Sequence, residues 1–154
     1  MPGKILKRMR RTVAVAESCT AGLLGVRLTE TPGSSDFFLG GVIAYSDRVK
    51  TRILKVPAPV LKRHGAVSAE TAVLMARNVR KFFRADYGLA VTGIAGPGGG
   101  TRKKPVGLVY AAAASKNRTL YGKFRYKGAR AAVRSQAARG ALRLLSRLLA
   151  GESR

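Results

Sequence analysis

A serine–lysine arrangement is the combination of residues in this sequence best suited to catalysis. Ser34 and Ser35 precede an apolar run, and Tyr45 and Lys50 follow it. A serine hydroxyl becomes a nucleophile when a base takes its proton, and a lysine is such a base only when its amine is neutral. Burial or nearby cations lower the pKa of a lysine, and arginines lie two positions before and after Lys50. Tyr45 is placed to orient the lysine or relay its proton. The spacing indicates acyl transfer and leaves open which serine attacks.

A glycine-rich stretch at residues 89–108 is the second candidate functional segment. Backbone amides in such a loop, followed by three basic residues at 102–104, suit an anion such as a phosphate. A long surface loop with no ligand is the alternative. The loop matches neither of two nucleotide-binding motifs. Gly99 and Gly100 stand where the Walker A motif needs Lys and Ser or Thr, and Thr101 stands where the dinucleotide-binding motif needs its third glycine. We therefore expect this loop to bind a ligand and not to catalyse.

Metal-dependent and disulfide-based chemistry find little support in the sequence. The chain has one histidine, one cysteine and seven scattered acidic residues, which form no ligand cluster. His64 lies in K-R-H-G, which is more typical of a loop than of a catalytic base. The single Cys19 cannot form an internal disulfide and fits a reducing compartment.

Charge is the most unusual property of the composition. The 154 residues include 30 Lys and Arg against 7 Asp and Glu, a net charge of +23. Such a surface favours nonspecific, salt-sensitive contact with nucleic acid, but aromatic residues for base stacking are few, at 6%. No apolar run is long enough to span a membrane, and no apolar segment of a signal peptide follows the basic N-terminus. We expect a cytoplasmic protein with no membrane association.

Strands and helices alternate along the chain, which predicts an α/β fold. The last two predicted strands form a hairpin, so we expect a three-layer α/β/α sandwich with a mixed sheet. Residues 12–150 would form one domain after a basic extension at 1–11. The predicted elements are strand 12–16, a helix capped by Ser18 or Thr20 and ending near 31, strand 37–45, a short helix capped by Ser46 or Asp47, a loop with a helical turn at 57–64, helix 68–84 capped by Ser68, strands 87–91, 106–114 and 119–126, and a helix opened by Gly128.

Four segments in order resemble the CinA C-terminal domain family. They are A-E-S-C-T-A-G at 16–22, G-S-S-x-F-F-x-G-G-V-I-A-Y-S at 33–46 with Lys50, H-G-A-V-S at 64–68, and V-T-G-I-A-G-P-G-G-G-T-x-x-K-P-V-G at 91–107. The resemblance covers about residues 12–149, and the chain resembles the stand-alone form of the domain. It implies an α/β fold, no metal or organic cofactor, a homodimer, and deamidation of nicotinamide mononucleotide in pyridine nucleotide salvage.

The resemblance also implies roles for individual residues. Ser35 would be the nucleophile, with Tyr45 and Lys50 as its activating partners. The residues implied in substrate binding are Glu17, Ser18, Cys19, Thr20, Thr92, Gly93, Gly96, Gly98, Gly99, Arg130 and Arg134, the two arginines near the substrate's phosphate. A non-catalytic nucleotide- or nucleic-acid-binding module with a basic surface is the alternative.

The sequence departs from the family pattern at three places. Ala21 stands where the family has glycine, and Ala129 stands where it has aspartate, which would leave Arg130 less well fixed. Only about eleven residues precede the first predicted strand, so the family's N-terminal helix is expected to be mostly missing.

Overall fold

One mixed five-stranded sheet forms the centre of the computed structural model, which describes residues 2–152. Strand β1 lies in the middle region and pairs parallel with β2 and β3, whereas β4 and β5 continue the sheet antiparallel. The sheet order is β2-β1-β3-β4-β5. The strands are β1 Val13–Glu17, β2 Phe38–Ile43, β3 Tyr87–Gly93, β4 Leu108–Ala114 and β5 Thr119–Arg125.

Helices cover both faces of this sheet. The helices are α1 Pro2–Met9, α2 Leu23–Thr29, α3 Asp47–Arg52, α4 Ala58–His64, α5 Ala69–Phe82 and α6 Arg130–Glu152. One hydrophobic cluster joins the sheet to α1, α2 and α6, and a second joins it to α3, α4 and α5. The arrangement confirms the predicted three-layer α/β/α sandwich with a mixed sheet. None of the helices within residues 2–152 is long and apolar enough to cross a membrane.

Residues 2–9 correct the prediction of a basic N-terminal extension. They form α1, which packs on α6, and Leu6 is fully buried in the core. Lys7 and Arg8 lie in the last turn of α1, where positive charge interacts favourably with the helix dipole. The sequence did not predict this helix, because its apolar side is short and basic residues make up much of the segment.

Two further boundaries differ from the predictions. Residues 58–64 form a complete helix, α4, where only a helical turn was expected. Neither Ser18 nor Thr20 caps α2, because the helix begins after Gly22, which has a φ of 101° and makes no side-chain cap. The predicted caps at Ser46 and Ser68 are confirmed, since their hydroxyls accept hydrogen bonds from the N–H groups of Val49 and Thr71.

The direction of the strands gives the sheet two functionally different edges. At the carboxyl edge, β1, β2 and β3 end and β4 begins; at the amino edge, β1, β2 and β3 begin and β4 ends. In α/β sheets, ligands bind at the carboxyl ends of parallel strands. The carboxyl edge is therefore the place to look for the predicted site.

Candidate active site

Four segments meet at the carboxyl edge of the sheet. They are the turn 18–22 after β1, the segment 44–50 after β2, the glycine loop after β3, and the first turns of α6. Hydrogen bonds from Arg130 and Arg134 on α6 tie the other three segments together. The structure thus collects most of the predicted site residues at one place.

Lys50 is the most unusual side chain at this edge, because it is a lysine with only 1% of its surface exposed. Its Nζ donates a hydrogen bond to the carbonyl oxygen of Tyr45 at 3.2 Å and lies 3.5 Å from Asp47 Oδ1. Burial lowers the pKa of Lys50, and the nearby carboxylate of Asp47 opposes this effect. The lowered pKa increases the fraction of the neutral amine, the form in which a lysine acts as a base.

Ser35 is not near Lys50 within the chain, which contradicts the predicted pairing. Ser35 lies in a single turn of 3₁₀ helix, Ser34–Asp36, just before β2 begins. Tyr45 and Lys50 follow the end of β2, so the whole strand separates them from Ser35. A six-residue strand spans about 20 Å. Ser35 therefore lies at the amino edge and the lysine at the carboxyl edge.

Ser18 directly follows β1, so the fold places it at the carboxyl edge, the edge at which Lys50 also lies. Its N–H donates to the carbonyl of Val91, so β1 keeps its pairing with β3 up to this residue. Side chains alternate along a strand, and Ala14 and Ala16 belong to the cluster with the α3–α5 layer. This alternation directs Ser18 to the layer that contains Lys50. Ser18 is 8% exposed, and the family resemblance implied a role for it in substrate binding.

Glu17 has a structural role that explains why it is buried. Its side chain accepts hydrogen bonds from the backbone N–H groups of Gly22, Leu24 and Gly25, at 2.9, 3.1 and 3.0 Å. These donors belong to the start of α2, where a helix leaves its N–H groups without backbone partners. The carboxylate of Glu17 thus caps α2 from the preceding strand and holds the turn 18–22 in place. The predicted contact of Glu17 with substrate finds no support in this geometry.

Cys19 and Thr20 lie in the turn that Glu17 and Arg134 fix. Arg134 donates from Nε to the carbonyl of Cys19 at 3.1 Å and from Nη2 to the carbonyl of Thr20 at 2.8 Å. Burial raises the pKa of the Cys19 thiol to about 11, so Cys19 is a poor nucleophile at neutral pH. Thr20 Oγ1 is buried and has no hydrogen-bond partner among residues 2–152. A bound ligand or water would satisfy this hydroxyl.

Arg130 links the aromatic side chain of this site to the glycine loop. Its Nη2 donates to Tyr45 Oη at 2.9 Å, and its Nη1 donates to the carbonyl of Gly96 at 2.7 Å. Arg130 is therefore held in place although Ala129 replaces the aspartate of the family pattern, contrary to the expectation from sequence. Tyr45 is 58% exposed, so its side chain is accessible to solvent.

The predicted binding residues of the glycine loop divide into two groups. Thr92 is buried and Gly93 is half-buried against β4: Thr92 Oγ1 donates to the carbonyl of Ala66 at 2.8 Å, and a Cβ at Gly93 would lie 2.7 Å from Val109. Gly98 and Gly99 are exposed, and a Cβ at Gly98 would meet no heavy atom within 4 Å. The tip of the loop is therefore the part that remains open to a ligand. Within the described residues, no group of three or more His, Cys, Asp or Glu could hold a metal ion.

Known proteins with this architecture are numerous. A CinA-like protein of Desulfovibrio desulfuricans is 49% identical over 150 residues, which cover 95% of this chain and 35% of that protein. The chain spans about a third of the length of the curated relatives it matches.

Solved structures match over nearly the whole chain. The competence/damage inducible protein CihA from Agrobacterium tumefaciens superposes with a TM-score of 0.92 at 40% identity, covering 95% of this chain and 90% of its own. A competence-damaged protein (CinA) superfamily protein from Klebsiella pneumoniae has a TM-score of 0.93 at 32% identity, covering 97% and 94%. The family model of the CinA C-terminal domain matches residues 2–149, which include α1. This chain belongs to the CinA C-terminal domain family.

Proposed function

We propose that the chain hydrolyses the amide of nicotinamide mononucleotide and releases nicotinate mononucleotide and ammonia. The observation that carries the chemistry is the buried Lys50, whose pKa is lowered and which lies at the same edge and in the same layer as Ser18. The substrate is inferred from the family resemblance of the four motifs. The reaction needs no cofactor beyond these side chains and water.

The reaction begins with attack of Ser18 Oγ on the carboxamide carbon. Lys50 Nζ takes the hydroxyl proton, and backbone N–H groups of the turn that follows Ser18 stabilise the oxyanion, as in other acyl-transfer enzymes. The C–N bond breaks as Lys50 returns the proton to the leaving ammonia. Water then attacks the acyl-enzyme, Lys50 takes a proton from it, and nicotinate mononucleotide leaves as Ser18 regains its hydrogen.

Substrate binding is assigned to the groups around this pair. Arg130 and Arg134 bring positive charge to the carboxyl edge, and each guanidinium has more N–H donors than its two hydrogen bonds within the protein use. The remaining donors suit the phosphate of the nucleotide. The open glycines at the loop tip are the other groups available to the substrate.

Ammonia release from nicotinamide mononucleotide, measured for the purified chain and three variants, tests the proposal. Ser18→Ala and Lys50→Ala are expected to lose turnover, whereas Ser35→Ala, a serine-to-alanine change at the amino edge, keeps it. Loss of turnover in Ser35→Ala with activity retained in Ser18→Ala would overturn the assignment of Ser18. Such a result would mean that a second copy of the chain brings its Ser35 to the lysine.

The alternative of a non-catalytic nucleotide- or nucleic-acid-binding module is the other outcome of the same experiment. It predicts no ammonia from this or related nucleotide amides, and tight nucleic-acid binding that weakens steeply with salt. The site geometry favours catalysis, because a binding surface does not require a buried lysine. The homodimer and the cytoplasmic location remain predictions.

A further inference from the structure

A basic cavity lies at the amino edge of the sheet, whereas the candidate active site lies at the carboxyl edge. Its volume is about 770 Å³, within the range of small-molecule sites. The ends of α5 and α6, the hairpin turn between β4 and β5, and the starts of β1 and β3 enclose it. The parallel strands place it about 15–20 Å from the carboxyl edge. The cationic side chains that line it are Arg11, Arg80, Arg84, Lys116 and Arg118.

The two acidic residues of this cavity already have partners. Asp86 accepts hydrogen bonds from the backbone and hydroxyl of Thr12 and forms an ion pair with Arg11 at 2.9 Å. Glu152 accepts hydrogen bonds from Tyr87 Oη at 2.8 Å and from Ser115. These contacts fix both carboxylates at the wall of the cavity. Neither carboxylate forms an ion pair with the other four cationic side chains within residues 2–152.

The charged groups within residues 2–152 give the cavity a positive charge. Five cationic side chains face two carboxylates, an excess of three positive charges. The C-termini of α5 and α6 also end here, and each contributes about half a negative charge. The remaining charge is about +2, and a concave surface concentrates its field.

Arg80, which lines this cavity, carries an unpartnered polar atom. Its Nε is buried and has no hydrogen-bond partner among the described residues. Buried polar groups in native proteins are almost always hydrogen-bonded. Arg80 also lines a smaller adjoining cavity together with Lys81, Lys116 and Arg118, so the cationic surface continues beyond the main cavity.

We propose that this cavity binds a small phosphate-bearing anion with two or more negative charges, of the pyrophosphate or nucleotide class. Its charge matches such an anion, its size admits a nucleotide, and its arginines offer the paired N–H donors that suit phosphate oxygens. The concave shape favours a compact ligand over a nucleic-acid strand. This site is separate from the proposed deamidation and does not depend on it.

Calorimetric titration with inorganic pyrophosphate at constant ionic strength tests this proposal. The unmodified chain is expected to bind one pyrophosphate saturably. Arg118→Gln and Arg80→Gln are each expected to weaken binding about tenfold or more, because each removes a hydrogen bond to a charged group. Arg139→Gln is the matched control, since it removes the same charge from an exposed position on α6 outside the cavity.

Thermal unfolding with and without pyrophosphate provides a second measurement and shows whether each variant is folded. A ligand that binds only the folded state raises the unfolding temperature, and we expect this rise in the unmodified chain and in Arg139→Gln, and a smaller rise in the cavity variants at the same pyrophosphate concentration. Equal weakening by all three substitutions would overturn the proposal in favour of a diffuse effect of the net charge. Loss of RNA binding in the cavity variants, with no saturable pyrophosphate binding by the unmodified chain, would also overturn it.

Discussion

Replacing Asp47 by asparagine is expected to move the pH dependence of turnover to lower pH. Asp47 Oδ1 lies 3.5 Å from Lys50 Nζ, and its charge opposes the burial that lowers the pKa of this lysine. The Asp47 side chain is 62% exposed, so solvent screens the pair and its interaction contributes about 0.2–1 kcal/mol. One pKa unit corresponds to about 1.4 kcal/mol. The pKa of Lys50 should therefore fall by at most about 0.7 in Asp47→Asn.

The sign follows from the role of the lysine as a base. Turnover rises with pH as Lys50 loses its proton, so a lower pKa moves this rise to lower pH by the same amount. The assay is ammonia release from nicotinamide mononucleotide, with kcat/KM measured as a function of pH. Asp36→Asn is the matched control, because Asp36 forms an exposed ion pair with Lys7 at 3.3 Å away from the site.

An unchanged profile in Asp47→Asn, or equal shifts in both variants, would refute the reasoning that Lys50 is the titrating base and that Asp47 tunes it. A shift to higher pH would refute the sign. Because asparagine keeps the shape of aspartate, a change in kcat/KM at the pH of maximum activity is not expected.

Four further predictions concern the stability and reactivity of the same region. Ala21 has a φ of 48°, so Ala21→Gly should relieve about 1 kcal/mol of backbone strain and raise the unfolding temperature by about 2–4 °C. Glu17→Gln should cost about 2 kcal/mol of unfolding free energy, because three buried or partly buried N–H groups lose a charged acceptor, whereas Glu30→Gln at an exposed position should cost little. Lys50→Met should raise the free energy of unfolding at neutral pH while it abolishes turnover. Because burial lowers the pKa of the lysine in the folded state, the unmodified protein gains stability as pH rises towards the ordinary lysine pKa of 10.5, so the stability advantage of Lys50→Met should shrink over that range. Cys19 should resist alkylation in the folded protein at neutral pH, because burial raises its pKa to about 11, and should react once urea unfolds the chain.

Sequence patterning was sufficient for the sheet and for the helices with strong caps. The alternation of apolar runs and the Ser68 cap predicted the three layers and α5 to within two residues, since burial and capping are local signals. The same patterning did not predict α1, in which Leu6 is fully buried among basic residues, or the start of α2. At that start the carboxylate of Glu17, from the preceding strand, replaces the hydroxyl cap that the sequence predicted.

The position of the nucleophile shows a different limit of sequence reasoning. Ser35 and Lys50 are close in sequence, but the strand between them carries the chain from one edge of the sheet to the other. A residue before a strand and a residue after it lie at opposite edges, whereas two residues that each follow neighbouring parallel strands share an edge. This rule, applied to the predicted strands, would have paired Lys50 with Ser18, because β1 and β2 are adjacent and parallel.

The lowered pKa of Lys50 also has a different origin from the one that the sequence suggested. The net charge of +23 and the arginines beside Lys50 in sequence pointed to cationic repulsion, but burial is the largest cause in the structure. Exposed charges are screened beyond about 8 Å at physiological salt, so a diffuse basic surface has little effect on a buried amine. Lys50 is 1% exposed at the edge of the cluster that contains Ala14, Ala16 and Ala44, so the surrounding protein removes water from the lysine. Burial therefore lowers the pKa of this lysine and favours its role as a base. The positive surface charge has a separate effect, which is to attract anions.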